Sequence, residues 1–415
     1  MSMSRAGGYR SLLCTRGAAA FFVAAAVGRV GIAMTGLGLV WLVHARTGSY
    51  GRAGLAGGGF ALAEALCGPQ VARLIDRLGQ TRVLPCCLVV HGGAIAVVLG
   101  SSSVAAEVVA ASCAGAVVPQ LGALSGARWA YLLRERTEEL PTAFSLESLA
   151  NATAFLLGPV LVTSLGAAGD EALATAVAAS LILAGGAVLA AQRRTAPEPR
   201  RKVHTGQTLL RPAFARIALM NLALGLYFGT TQVSVSAFAL DHGAPAAPIV
   251  AVASVSGLLS GWVYGLRRHR TPARRQLLRA GACLTGASAL LPLAPNALWL
   301  AVALALTEAA IPPTLVLLNV ETERSVHPAA LTQAFTWNNS ASAAGSALAA
   351  SLAGRVADGG GASAALALAL VPAAGLLALV RPPGGRPSRR GSTGCPGPAS
   401  PGRRRARRRS SSRPS

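Results

Sequence analysis

Long apolar runs, separated by short polar stretches rich in arginine, recur along the whole chain. A helix that crosses the roughly 30 Å hydrocarbon core of a bilayer needs about 20 mostly apolar residues. On that measure the first half of the chain predicts spans at Ala18–Val43, Ala53–Ile75, Val83–Gly100, Val104–Ala127, Thr142–Leu165 and Ala172–Ala191. The second half predicts Ile217–Leu240, Ala244–Leu266, Leu277–Leu293, Leu298–Val320, Ala330–Ala353 and Ala362–Val380. Helices are required, because an open sheet leaves backbone groups unpaired in lipid. The expected fold is an all-α membrane protein of twelve transmembrane helices in two six-helix pseudo-symmetric halves.

The halves are read from a basic, proline-containing stretch, Arg193–Arg211, with six spans before it and six after. Expected boundaries are an N-tail over 1–17, a first half over 18–192, a linker over 193–216, a second half over 217–380 and a basic tail over 381–415. A short internal repeat supports duplication. Ala143-Phe144-Ser145-Leu146-Glu147-Ser148 opens the fifth span, and Ala334-Phe335-Thr336-Trp337-Asn338-Asn339 stands early in the eleventh. Related halves of this kind are a mark of transporters.

Composition agrees with lipid as the solvent. The chain is 52% hydrophobic and 13% charged, against roughly 25% charged residues in soluble domains. The net charge of +23 first suggests nucleic acid, but its placement says otherwise. With the N-terminus placed in the cytoplasm, 34 of the 38 Lys and Arg residues fall on the cytoplasmic side. Three (Arg46, Arg52, Arg355) fall outside, and Arg29 lies within a span. That is the positive-inside pattern, so both termini are expected in the cytoplasm and no nucleic-acid partner is expected. The tail carries Arg403-Arg404-Arg405 and Arg407-Arg408-Arg409 and should be a solvated, disordered segment, able to touch anionic lipid. Seven cysteines show no metal spacing; neither a metal nor a cofactor is expected, and Cys86-Cys87 reads as core packing. The first apolar run is too long for a signal peptide and is followed by many others.

The stretch Ala72-Arg73-Leu74-Ile75-Asp76-Arg77-Leu78-Gly79-Gln80-Thr81-Arg82 follows the second span. It resembles the loop 2–3 signature of the major facilitator superfamily, G-x-x-x-D-R-x-G-x-x-R, with Ala72 in place of the first glycine. Gly79 allows a tight turn, and Arg77 and Arg82 hold the loop on the cytoplasmic side. The resemblance implies that Asp76 latches the two halves at the cytoplasmic end in an outward-open state. The mirrored loop in the second half, Gly257 to Arg275, keeps the glycines and arginines but has no acid. Gly158-Pro159 resembles the glycine-proline element of drug–proton antiporters, without most of its flanking glycines. The fourth span has no arginine where proton-coupled antiporters of the superfamily usually carry one.

Charges inside the bilayer cost roughly 2.5–3.5 kcal/mol on insertion scales, so those that persist are functional candidates. Arg29 and Glu64 lie at similar depth near the midplane and are expected to pair. Glu308, in Leu306-Thr307-Glu308-Ala309-Ala310-Ile311-Pro312-Pro313, has no basic residue elsewhere in its span. A carboxyl so placed can load and release a proton near neutral pH, and the proline pair should bend the helix. Proteins that it resembles line their cavity with helices one, four, seven and ten, which implies that Glu308 faces solute. Glu147 stands about a turn inside the fifth span, and Glu107 at the outer end of the fourth, where it should be solvated. Gln120, Tyr227, Gln232 and Asn338 are candidate hydrogen-bonding groups for a solute, and helix–helix bonds are the alternative use of such residues.

The implied function is alternating-access secondary transport of a small solute by a monomeric, multi-pass protein of a bacterial inner membrane, with proton-linked efflux first. Uptake of a polar metabolite by symport is second. A non-transporting sensor with the same helices is the rival from another class. No catalytic constellation or phosphate-binding loop is found, so an enzyme is not expected.

Overall fold

The computed structural model describes residues 8–167, 170–199, 209, 211–267 and 271–380. Its regular elements are all helical: α1 (Tyr9–Leu13), α2 (Ala18–Thr47), α3 (Tyr50–Leu78), α4 (Gln80–Gly100), α5 (Val104–Ala116), α6 (Leu121–Leu132), α7 (Leu140–Ala167) and α8 (Glu171–Ala191) come first. Then follow α9 (Pro212–Asp241), α10 (Ala246–Leu266), α11 (Ala273–Ser288), α12 (Ala297–Ser325), α13 (Leu331–Ala367) and α14 (Leu370–Val380). Among the described residues nine segments are long and apolar enough to cross a membrane. α3 and α11 fall outside those nine, and α13 with α14 is one continuous segment among them. The Arg-rich tail proposed to meet anionic lipid lies outside the described residues, as does 200–208 of the expected linker.

Local chemistry sets the helix ends. α2 stops at Gly48, whose left-handed backbone (φ 64°) returns its N–H to the His44 carbonyl. Ser49 then starts α3 by accepting the Arg52 N–H. Asp170 and Asn296 cap α8 and α12 in the same way. The expected unbroken fourth span is corrected: it is two helices, α5 and α6, parted at Val117–Gln120. Pro119 supplies no N–H and disfavours helical geometry at the residue before it. The Ala114 carbonyl beside the break is taken by His91 Nδ1 at 3.0 Å. The eleventh and twelfth spans abut at Gly361 (φ 76°) with no connecting loop.

α2–α8 pack chiefly on one another, and so do α9–α14. Small residues bring the helices close. At Gly225 and Gly229 of α9 a Cβ would stand 1.9 and 2.0 Å from the carbonyls of Ser342 and Ser346 on α13, so no larger residue fits there. The two halves meet through α3, α6 and α7 on one side and α10, α12 and α13 on the other. A shared apolar cluster joins Phe144 and Leu146 to Val316, Val320, Leu331 and Phe335 at the end of the bundle that carries Gly79.

Candidate functional site

The Gly79 end is built from one sharp turn. Gly79 alone separates α3 from α4, at φ 96°, a value that suits glycine. This leaves Asp76 in the last turn of α3, past the apolar span. Its Oδ2 accepts the backbone N–H of Gln333 at 2.9 Å. Gln333 is the third residue of α13, where N–H groups have no partner within their own helix. A carboxyl of one half thus caps a helix of the other, next to the positive end of its dipole. Burial pushes this carboxyl up to about 7, against the lowering effect of its bonds to Thr332 and Gln333. Arg77 and Arg82 are exposed.

A second contact between the halves lies nearby: Ser145 Oγ, on α7, donates to the Gly261 carbonyl on α10 at 2.5 Å. Arg128, counted from sequence among the loop charges, is fully buried instead. It donates to Gln80 Oε1 (2.8 Å), to the Leu189 and Gln192 carbonyls (2.8 and 3.0 Å) and to Thr195 Oγ1 (2.8 Å). It therefore fastens the first residue of α4 to the end of α8.

The expected Arg29–Glu64 pair does not form. Arg29 makes a buried ion pair with Glu147 Oε2 and donates to the Glu147 carbonyl at 3.2 Å. Glu147 is not at a shallow, snorkelling depth; it is 6% exposed and also accepts Ser125 Oγ at 2.5 Å and Trp129 Nε1 at 2.8 Å through Oε1. Glu64 instead accepts the Gln120 amide at 2.9 Å. Distance along a helix fixes depth but not which neighbour a side chain turns towards. α2 packs on α6 and α7, and Gly122, whose Cβ would stand 3.4 Å from Arg29 Nε, leaves room for the guanidinium. Ser125 and Trp129 join the pair through contacts that no sequence pattern marks.

Glu107 is corrected as well. It is 1% exposed, and its Oε1 meets Arg46 Nη1 at 2.6 Å, while Arg46 also holds the Leu99 carbonyl at 2.7 Å. It belongs to a clamp at the end opposite Gly79.

In the second half, Asn338 Nδ2 donates to Thr322 Oγ1 at 2.9 Å. Tyr227 is fully buried, its hydroxyl among Thr307, Ser288 and Glu308. Glu308 makes no ion pair among the described residues, and its Oε2 lies 3.5 Å from where a Cβ on Gly257 would stand. Gln232 is exposed and apart from this cluster.

Two packed groups of helices, with large apolar side chains on their outer surface and buried polar groups set among apolar cores, define a multi-pass helical membrane protein. The sequence matches the family model described as Major Facilitator Superfamily over residues 21–350, and the chain belongs to that superfamily. No curated protein matches it in sequence. Its fold is similar to that of the human organic anion transporter MFSD10 (TETRAN), with TM-score 0.68 and 18% identity. A bacterial homologue of the iron transporter ferroportin in an outward-facing state is similar at TM-score 0.73 and 12% identity. FucP, a transporter of the superfamily in the outward conformation, is similar at 0.69 and 14%. In all three cases the match covers 88% of this chain and 98% of the other. The chain is a membrane transporter.

Proposed function

We propose that this chain exports a small solute from a bacterial cell by alternating access, driven by inward movement of protons. In this reading the protein is a monomer with twelve crossings of the inner membrane, and both termini and the Gly79 end lie in the cytoplasm. The observation that carries it is the cap of Asp76 on Gln333, seconded by Ser145 on Gly261. Each contact joins the halves through a few hydrogen bonds at the same end, an arrangement that can be made and broken as the halves rock. The outward states described for two of the similar structures fit a closed Gly79 end.

Glu308 is the proposed proton carrier, since no basic side chain among the described residues pairs with it. Glu64, held by an amide and not by a cation, is the second candidate. Arg29 and Glu147 neutralise one another and would hold the framework of the first half. Gln120, Tyr227 and Asn338 would supply hydrogen bonds near the path. The test is transport by purified protein in liposomes under an imposed pH gradient, with a pH-sensitive dye inside and a panel of solutes outside. Solute-dependent proton movement is expected, and Glu308→Gln should remove the pH dependence of transport without impairing membrane insertion. A protein that binds a solute but moves none is a sensor, and that result would end the transporter reading.

A further inference from the structure

The loop that follows α10 has no acid where its counterpart in the first half has Asp76, yet the start of α7 is held to the end of α10. Ser145 bonds the Gly261 carbonyl directly, and a further group, from outside both halves' helical repeats, reinforces that contact. Tyr9, in the short helix α1, places its hydroxyl 3.1 Å from Ser145 Oγ on α7, 2.9 Å from the Trp262 carbonyl and 3.3 Å from the Gly261 carbonyl on α10. We infer that α1 is a strap, and that Tyr9 provides the second latch of the Gly79 end in place of the missing acid.

Three observations carry this. First, the bonding is directional. Ser145 donates its proton to the Gly261 carbonyl, so its oxygen is left to accept, and the single Tyr9 proton serves Ser145 or a carbonyl of α10. The phenol therefore extends the Ser145–Gly261 link into a chain of hydrogen bonds that ties α1 to the place where α7 meets α10. Second, the recess is shaped for it. A Cβ on Gly265 would stand 1.9 Å from Tyr9 Oη and 2.6 Å from Ser145 Oγ, so only glycine leaves room for the hydroxyl. Third, Tyr9 lies before the first span, and burial raises its phenol above the ordinary value, which keeps it a donor at physiological pH. The strap is a fixed mechanical link and must leave its recess before the Gly79 end can part. It rests on the alternating-access reading, because only a closure that opens needs a latch.

The test is amide hydrogen exchange on the full-length protein in nanodiscs. Tyr9→Phe should speed exchange about five-fold, the worth of one net hydrogen bond, in peptides covering 140–149 and 258–266. Peptides at the opposite end of the bundle should keep their rates. Gly265→Ala should give the same local pattern, and adding Tyr9→Phe to it should produce no further change. Unaltered exchange in Tyr9→Phe, uniform acceleration along the chain, or independent effects of the two substitutions would each overturn the strap. Solute transport by the wild-type protein is scored separately. A chain that transports but shows no local change in Tyr9→Phe loses the strap alone.

Discussion

The rings of Phe144 and Phe335 meet edge to face with their centroids 5.7 Å apart, one near the start of α7 and the other near the start of α13. Their positions differ by 191 (335 minus 144), the offset of the short internal repeat. Residues at matching places of the short repeat therefore touch each other across the two groups of helices. The same offset relates Glu147 to Asn338 (147 plus 191). There the halves part chemically. Glu147 closes a buried ion pair with Arg29, whereas Asn338 shares a neutral bond with Thr322. One scaffold, used twice, carries charge on one side and amide and hydroxyl groups on the other.

The aromatic contact should be measurable as an interaction between halves. Phe144→Ala and Phe335→Ala are each expected to lower stability, and a double-mutant cycle should return a coupling of about 0.5–1.5 kcal/mol. Equilibrium unfolding in mixed micelles provides the numbers. Strictly additive losses would show that the rings are neighbours without mutual stabilisation.

Removing one partner of the Arg29–Glu147 pair should cost far more than removing both. Glu147→Ala leaves a guanidinium that is 6% exposed without its counter-charge, a change that typically costs about 3–5 kcal/mol. The double substitution Arg29→Met with Glu147→Leu replaces the pair by apolar groups and should recover most of that loss. Thermal melting of the purified variants distinguishes the cases. A double variant no more stable than Glu147→Ala would mean that the bonds from Ser125 and Trp129, not the charge pair, dominate the site.

The helices were legible in the sequence because the bilayer imposes a length and an apolarity that composition reveals directly. The Asp76 loop was legible because its residues are local in the chain, and a single turn at Gly79 suffices to place them. What could not be read was rotation about the helix axes. Arg29 and Glu64 stand at matching depth, yet α2 turns the guanidinium towards α7, and α3 turns its carboxyl towards Gln120. Arg128 was indistinguishable from a loop charge because its partners are two backbone carbonyls at the end of α8 and the neutral side chains of Gln80 and Thr195, which leave no acidic residue to notice. Tyr9 escaped attention for a related reason: its contacts lie more than a hundred residues away in the chain.

Closure of the Gly79 end should depend on pH through Asp76, and the sign follows from its two environments. In the closed arrangement its carboxyl is pushed up to about 7, whereas a carboxyl freed to water returns to about 3.9. The closed end thus binds a proton more tightly than an open one, so acid favours closure, and raising the pH from 4 through 7 weakens it. Gln80 and Glu198 line the same small cavity as Asp76. Spin labels on exposed Arg134 and Arg324, one in each half, would report the separation between pH 5 and 9 in a background without native cysteines. Asp76→Asn keeps an acceptor for the Gln333 N–H but cannot ionise, and should hold the end closed across the range. Asp76→Ala loses the cap, worth about 1 kcal/mol, and should open the end at every pH. If the wild type and Asp76→Asn give the same profile, another group carries the titration, and the Asp76 cap acts through geometry alone.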